Sequence, residues 1–206
     1  MSLWTKLRRP FLHLVGLSLF CAVKGLGEPF PRRPDGVEFG RIEYTAPCPA
    51  RDLRLEKAVG GYYSLGHDYE LAYAYCNVKL TEGARHVLAA VDLDSKKGRA
   101  AASSCDVLML FRITKAGDYK LEQLFADPIL PVLISSRATN GYRDIIYCTR
   151  RLETEGTEYR EFKFFPLKGG YPGWPDSRPV RQTVLSGTLV LTLEKRETLS
   201  LHKFRL

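Results

Sequence analysis

Residues 69–80 read YELAYAYCNVKL, and their side chains sort into two unlike sets at a period of two. Tyr69, Leu71, Tyr73 and Tyr75 fall on one face, and Ala72, Ala74, Cys76, Val78 and Leu80 on the other. Successive side chains of a strand point to opposite sides of a sheet. A strand with large aromatics on one side and small apolar groups on the other therefore has to be covered on both. A lone sheet with one wet face cannot hold this segment.

The same alternation recurs along the chain. Residues 37–44, 86–93, 107–114, 119–125, 132–135, 142–149 and 158–165 read as strands, separated by turn chemistry such as KAGD at 115–118. Residues 49–59 form the best helix candidate, with Gly60-Gly61 expected to stop it. Leu189, Leu191 and Leu193, followed by a charged turn and then Leu199 and Leu201, predict a last hairpin. Residues 166–176, PLKGGYPGWPD, hold too many prolines and glycines for a central strand and predict a loop pinned by Tyr171 and Trp174. Short strands at regular spacing predict a mainly β fold: an antiparallel β-sandwich or curved sheet of hairpins with one short helix, an α+β arrangement being the alternative.

The first 27 residues read as an export signal. Lys6, Arg8 and Arg9 precede an apolar run at 11–23, shorter than the roughly 20 residues a membrane span needs, and Gly25-Leu26-Gly27 supplies small residues before a mature start at Glu28. RRPFL at 8–12 resembles the core of a twin-arginine signal, so both that route and the ordinary Sec route remain open. A Pro-rich leader at 28–36 leads into a single domain at 37–206.

Removing the signal changes the meaning of the charge. The whole chain carries 31 Lys+Arg against 23 Asp+Glu; taking away the four basic residues of 1–27 leaves 27 against 23, a net of +4. The remaining basic pairs, Arg150-Arg151 and Lys195-Arg196, are interleaved with glutamates. Mixed signs describe a solvated surface rather than a phosphate track, which argues against a nucleic-acid partner. Periplasmic or secreted localisation, with no membrane span after cleavage, is the expectation. In an exported chain the even set Cys48, Cys76, Cys105 and Cys148 predicts two disulfides of undetermined pairing.

No motif calls for a metal or cofactor. There is no CxxC or Cys/His spacing for zinc. VDLDSKKGR at 91–99 begins like a calcium loop with Asp92 and Asp94, but Lys96 and Lys97 occupy ligand positions and Gly98 arrives one residue late. A nucleophilic triad finds no GxSxG elbow. His67, Asp68 and Glu70 in GHDYE could carry proton transfer, and Asp68, Glu70, Asp92 and Asp94 are the carboxylates available for glycoside cleavage.

In SSRATNGYRDIIYCTR at 135–150, Asn140 and Gly141 suit the positive φ of a tight hairpin turn. Alternation places Arg143 and Asp144 on opposite faces, leaving Asp144 beside Ile146 and Cys148, where it requires turn amides or the Ser135 and Ser136 hydroxyls as partners. AVDLDSKKGRA, NGYRDIIY and GGYPGWPDSRPV, in that order, resemble segments of small exported bacterial β-rich proteins, and NGYRDI is similar to half of an FG-GAP-type hairpin. The resemblance implies an exported β-domain and no specific activity.

Aromatics on rigid loops point to recognition, since they bury much area at low entropic cost. Tyr62 and Tyr63 follow Gly60-Gly61, and Tyr171 and Trp174 stand on the Gly/Pro-rich loop. The leading expectation is a non-enzymatic protein-binding module, an inhibitor or immunity protein facing a cell-envelope-directed toxin or lytic enzyme. A cell-wall or carbohydrate hydrolase using His67, Asp68 and Glu70 is one alternative. A small-ligand carrier with a cavity lined by Tyr69, Tyr73 and Tyr75 is the other.

Overall fold

The computed structural model describes residues 37–63, 70–93, 105–126, 128–150, 157–165, 170–171, 176–180, 183–191 and 202–205. In chain order the elements are β1 (Val37–Thr45), α1 (Leu53–Tyr62), β2 (Glu70–Val78), β3 (Arg85–Leu93), β4 (Val107–Ile113) and β5 (Tyr119–Ala126), then β6 (Pro128–Thr139), β7 (Tyr142–Arg150), β8 (Thr157–Phe162), β9 (Arg178–Pro179), β10 (Thr183–Val190) and β11 (His202–Arg205). They build a six-stranded sheet ordered β1-β10-β6-β7-β8-β9 and a five-stranded sheet ordered β11-β2-β3-β4-β5. All neighbours are antiparallel except β1 and β10, which run parallel. This is the mainly β sandwich with one short helix that the alternation predicts.

The two-sided pattern of β2 explains the layering. Ala74, Cys76 and Val78 join Leu88, Leu110, Val132, Ile145 and Tyr147 in the core between the sheets. Leu71, Tyr73 and Tyr75 join Val87, Met109 and Phe111 on the outer face, where α1 lays Leu55 and Val59 over them. Full burial of each of these aliphatic side chains is worth roughly 1.5–3 kcal/mol. A third cluster on the outer face of the six-stranded sheet gathers Leu133, Ile146, Cys148, Tyr159 and Leu189.

The β6–β7 turn has Asn140 at φ 54° and Gly141 at φ 80°, both in the left-handed region that a two-residue hairpin turn requires. Beyond it the ladder slips: Ile134 pairs with Ile145 and Ala138 with Arg143, so three residues of β6 oppose Asp144 alone. Gly187 of β10 lies against this bulge at φ 153°, where a Cβ would sit 2.1 Å from the Ile134 carbonyl oxygen. Only glycine lets β10 approach β6 this closely.

Several expectations are corrected. The helix starts at Leu53 rather than 49 and runs through Gly60-Gly61, because Asp52 caps its N-terminus and Tyr63 closes its C-terminus by donating its backbone N–H to the Val59 carbonyl. Of the expected last hairpin, Leu193, the charged turn, Leu199 and Leu201 lie outside the described residues; on either side of them β10 inserts between β1 and β6, and β11 pairs with β2 in the other sheet.

The structure shows no disulfide joining Cys48, Cys76, Cys105 and Cys148 in the predicted pairs. The faces of the strands account for this. Cys76 points into the inter-sheet core and Cys105 packs at its margin. Cys48 sits on the helix side of β2, near the Asn77 amide, and Cys148 belongs to the outer cluster of the other sheet. Burial pushes the Cys76 thiol up to about 12, and its Sγ–H points at the Ala46 carbonyl 3.4 Å away. Such a thiol stays protonated and unreactive.

Candidate functional site

The N-terminus of α1 is held by a polar network drawn from three elements. Asp52 Oδ1 accepts from the backbone N–H groups of Arg54 and Leu55, each at 3.0 Å, satisfying two donors that an uncapped helix leaves open. Its Oδ2 accepts from the Tyr119 hydroxyl of β5 at 2.5 Å. One turn along, Glu56 receives a two-pronged Arg51 guanidinium, Nε to Oε1 at 2.9 Å and Nη2 to Oε2 at 2.8 Å. The Tyr73 hydroxyl of β2 donates to Glu56 Oε1 at 2.9 Å and accepts from the Asp52 N–H at 3.2 Å. Tyr75 adds a bond to the Ala50 carbonyl at 3.0 Å.

Arg51, with help from the Tyr73 hydroxyl, holds the buried Glu56 carboxyl below the usual glutamate range despite the opposing effect of burial. Burial and the neighbouring carboxylates raise Tyr73 and Tyr119, so both keep their hydroxyl protons as donors. The aromatic face expected to line a carrier cavity is filled: Tyr73 and Tyr75 pack beneath α1 and beside β11, with His202 and Phe204 rings 5.2 and 5.6 Å from Tyr73. Tyr69 lies outside the described residues.

The helix so fixed turns Leu53 outward at 71% exposure and Tyr62 at 47%. Between α1 and β11 runs an open groove of about 610 Å³, bordered by Leu53, Lys57 and Gly60 on one wall and by Lys203, Phe204 and Arg205 on the other. Glu70, the first residue of β2 and the register partner of Arg205, closes one side.

A second polar cluster lies at the rim between the sheets. His86 alternates with the outward Val87 and is almost wholly buried. Its Nε2 lies 3.3 Å from Glu122 Oε2, close enough to pair as ions when the imidazole is protonated, yet neither ring nitrogen makes a hydrogen bond of acceptable geometry. Glu122 is also held by Arg112 Nε at 3.0 Å. Tyr142 faces His86 and stacks on Phe164 at 3.8 Å, and Phe164 meets Tyr171 edge-on. Asp144 is buried, with Oδ1 making no hydrogen bond. Burial raises its carboxyl above the usual aspartate range, against the pull of the Thr139 hydroxyl. The expected Ser135 partner is turned elsewhere, its Oγ accepting from the Arg137 N–H at 3.0 Å.

The predicted aromatic rim is only partly exposed. Tyr62 remains on the surface, whereas Tyr63 packs in the helix-side core and sets its ring edge-on to Tyr62. Tyr171 is 4% exposed and plugs the inter-sheet core, its hydroxyl donating to the Arg143 carbonyl at 2.6 Å. It anchors its loop from within. Trp174, His67, Asp68 and Asp94 fall outside the described residues; of the proposed acid–base group only Glu70 can be placed, at the groove, while Asp92 is half-buried at the end of β3.

Sequence reasoning missed Asp52, Glu56, Tyr119, His86 and Glu122. For Asp52 a signal existed: an aspartate directly before the apolar pair Leu53 and Leu55, with Glu56 in the first turn, marks a helix start. Glu56 has Arg51 five residues before it in sequence, whereas Tyr119, His86 and Glu122 meet their partners through tertiary pairing alone.

Among the described residues no group of three or more His, Cys, Asp or Glu is placed to hold a metal ion, and no helix is long and apolar enough to cross a membrane. No protein-family model, curated protein or solved structure matches the chain.

Proposed function

We propose that this chain is an exported, non-enzymatic protein-binding module, periplasmic or secreted, that recognises its partner through the outer surface of α1. One observation carries the reading: a two-sided network clamps the helix N-terminus, and the clamped helix displays Leu53 and Tyr62 to solvent. Rigid apolar anchors lose little freedom on binding, which is what makes such side chains effective at interfaces. The polar groups best suited to acid–base work serve the fold instead: Glu56 and Asp52 are fully engaged by the helix network, and His86 and Asp144 are buried. Export is supported by the basic and apolar pattern of the first 27 residues. An inhibitor or immunity protein acting on an envelope-directed toxin or lytic enzyme suits a small exported binder of this kind.

Mature protein beginning at Glu28 serves as bait, with Leu53→Glu and Tyr62→Ala as the test variants. Recovery of one partner in stoichiometric amount, reduced more than tenfold by either substitution while circular dichroism is unchanged, supports the reading. Equal recovery by all three proteins would contradict it. The placement of Glu70 at an open groove keeps a hydrolase as the second reading; turnover of peptidoglycan fragments that is lost in Glu70→Gln would replace the first reading with that one.

A further inference from the structure

We infer that the groove between α1 and β11 receives an extended acidic segment of the partner protein, a proposal that rests on the α1 face being the recognition surface. The charges of the groove are unequal. Arg51 and Glu56 cancel one another in a bidentate pair. Lys57, Lys203 and Arg205 have no ion pair among the described residues, and Glu70 alone opposes them. An incoming segment with carboxylates therefore finds uncompensated cations already in place.

The walls add an apolar strip. Leu53, Lys57 and Gly60 recur at the three- and four-residue spacing that puts them on one side of the helix. Gly60 contributes no side chain at its end of this wall, while Phe204, half-buried against Tyr73, forms the opposite wall. A single apolar side chain flanked by carboxylates matches this arrangement.

The strand edge selects a peptide over other anions. Among the described residues β11 is the edge of the five-stranded sheet and pairs with β2 alone, so no described strand takes up the backbone N–H and C=O groups of its outer side. An extended segment can pair with that edge and place alternate side chains in the groove, the mode of strand addition used widely in peptide recognition. A lipid surface or a nucleic acid offers no such backbone, and Glu70 beside Arg205 repels a continuous run of phosphates.

The test uses mature protein and fluorescein-labelled octapeptides: one with a central Phe flanked by Asp and Glu, one with Asn and Gln in place of the acids, and one with Lys. Phosphatidylglycerol vesicles and a heparin oligosaccharide are run in parallel. The expected result is saturable binding of the acidic peptide, about tenfold weaker for the neutral one, and weakened by roughly three- to tenfold in Lys57→Glu and in Lys203→Glu. Binding should also fall as salt rises from 50 to 500 mM. Lys120→Glu, exposed on β5 at the far edge of the same sheet, should bind like wild type. Equal binding of all three peptides, indifference to Lys57→Glu, or preference for vesicles or heparin would overturn the proposal. If the peptides fail while partner capture still depends on Leu53 and Tyr62, the groove assignment falls alone; if both fail, the reading beneath it falls as well.

Discussion

Glu56 and Asp144 are both buried acids in one small sandwich, and their surroundings treat a negative charge in opposite ways. Around Glu56 both oxygens accept charge-assisted or hydroxyl hydrogen bonds, and the carboxyl is held below its usual range. Around Asp144 one oxygen accepts nothing, Glu161 lies nearby, and burial holds the carboxyl above its usual range. The first site is built to keep an ion and to use it as a peg for a helix. The second favours a neutral acid in a bulge. The difference separates two roles: the pole that fixes α1 holds a helix whose Leu53 is exposed, whereas Asp144 sits opposite the bulge of β6, buried in the sheet itself.

The largest break in this comparison should come from Asp52→Ala. It removes the helix cap and the acceptor of the Tyr119 hydroxyl together, and a loss of about 2–3 kcal/mol in urea denaturation is expected from a cap plus a charged hydrogen bond. A loss below about 0.5 kcal/mol would mean that α1 is not held from this end.

Glu56→Gln should destabilise by about 1–2 kcal/mol at neutral pH, since the bidentate ion pair becomes a neutral contact. The pH dependence follows from the lowered value: folding stability from Glu56 is present above the ordinary glutamate range and is lost as pH falls through the folded-state value. The gap between variant and wild type should therefore close in acid, as thermal melts from pH 7 to pH 2 would show.

Asp144→Asn should behave in the opposite sense. A carboxyl raised in the folded state contributes most below the ordinary aspartate range, and that contribution declines as pH rises through the raised value. The variant should equal wild type or exceed it by up to about 1 kcal/mol at pH 8 and lose that advantage in acid. Destabilisation of more than about 2 kcal/mol at pH 8 would show instead that the ion is wanted there.

The smallest effect is expected from His86→Leu, which replaces two unbonded ring nitrogens with an apolar group while Arg112 still holds Glu122. Stability should stay within about 1 kcal/mol of wild type. A larger loss, by chemical denaturation, would identify a His86–Glu122 pair that matters to the fold.

How far the sequence carries these conclusions depends on whether the governing contact is local. Period-two alternation in β2 was enough to demand a layer on each face, and Asn140-Gly141 was enough to demand a left-handed turn. The helix ran past Gly60-Gly61 because packing of Val59 and Tyr63 outweighs the helix cost of glycine, roughly 1 kcal/mol per residue. The parallel pairing of β1 with β10 and the placing of β11 beside β2 join segments far apart in sequence, so no local pattern announces them. The disulfides failed because a cysteine count carries no information about faces, and these four thiols are distributed over three clusters. Tyr171 looked like a surface ring since its neighbours are glycine and proline, but a core residue need not lie in a strand.

The most direct measurement is a carbon-detected NMR titration of the side-chain carboxyls in the folded protein. The account predicts that Glu56 remains ionised below the ordinary glutamate range while Asp144 holds its proton above the ordinary aspartate range. Ordinary values at both positions, or the reverse order, would contradict it: the helix would then lack its ionic peg, and the claim that the α1 face is a preorganised recognition surface would lose its physical basis.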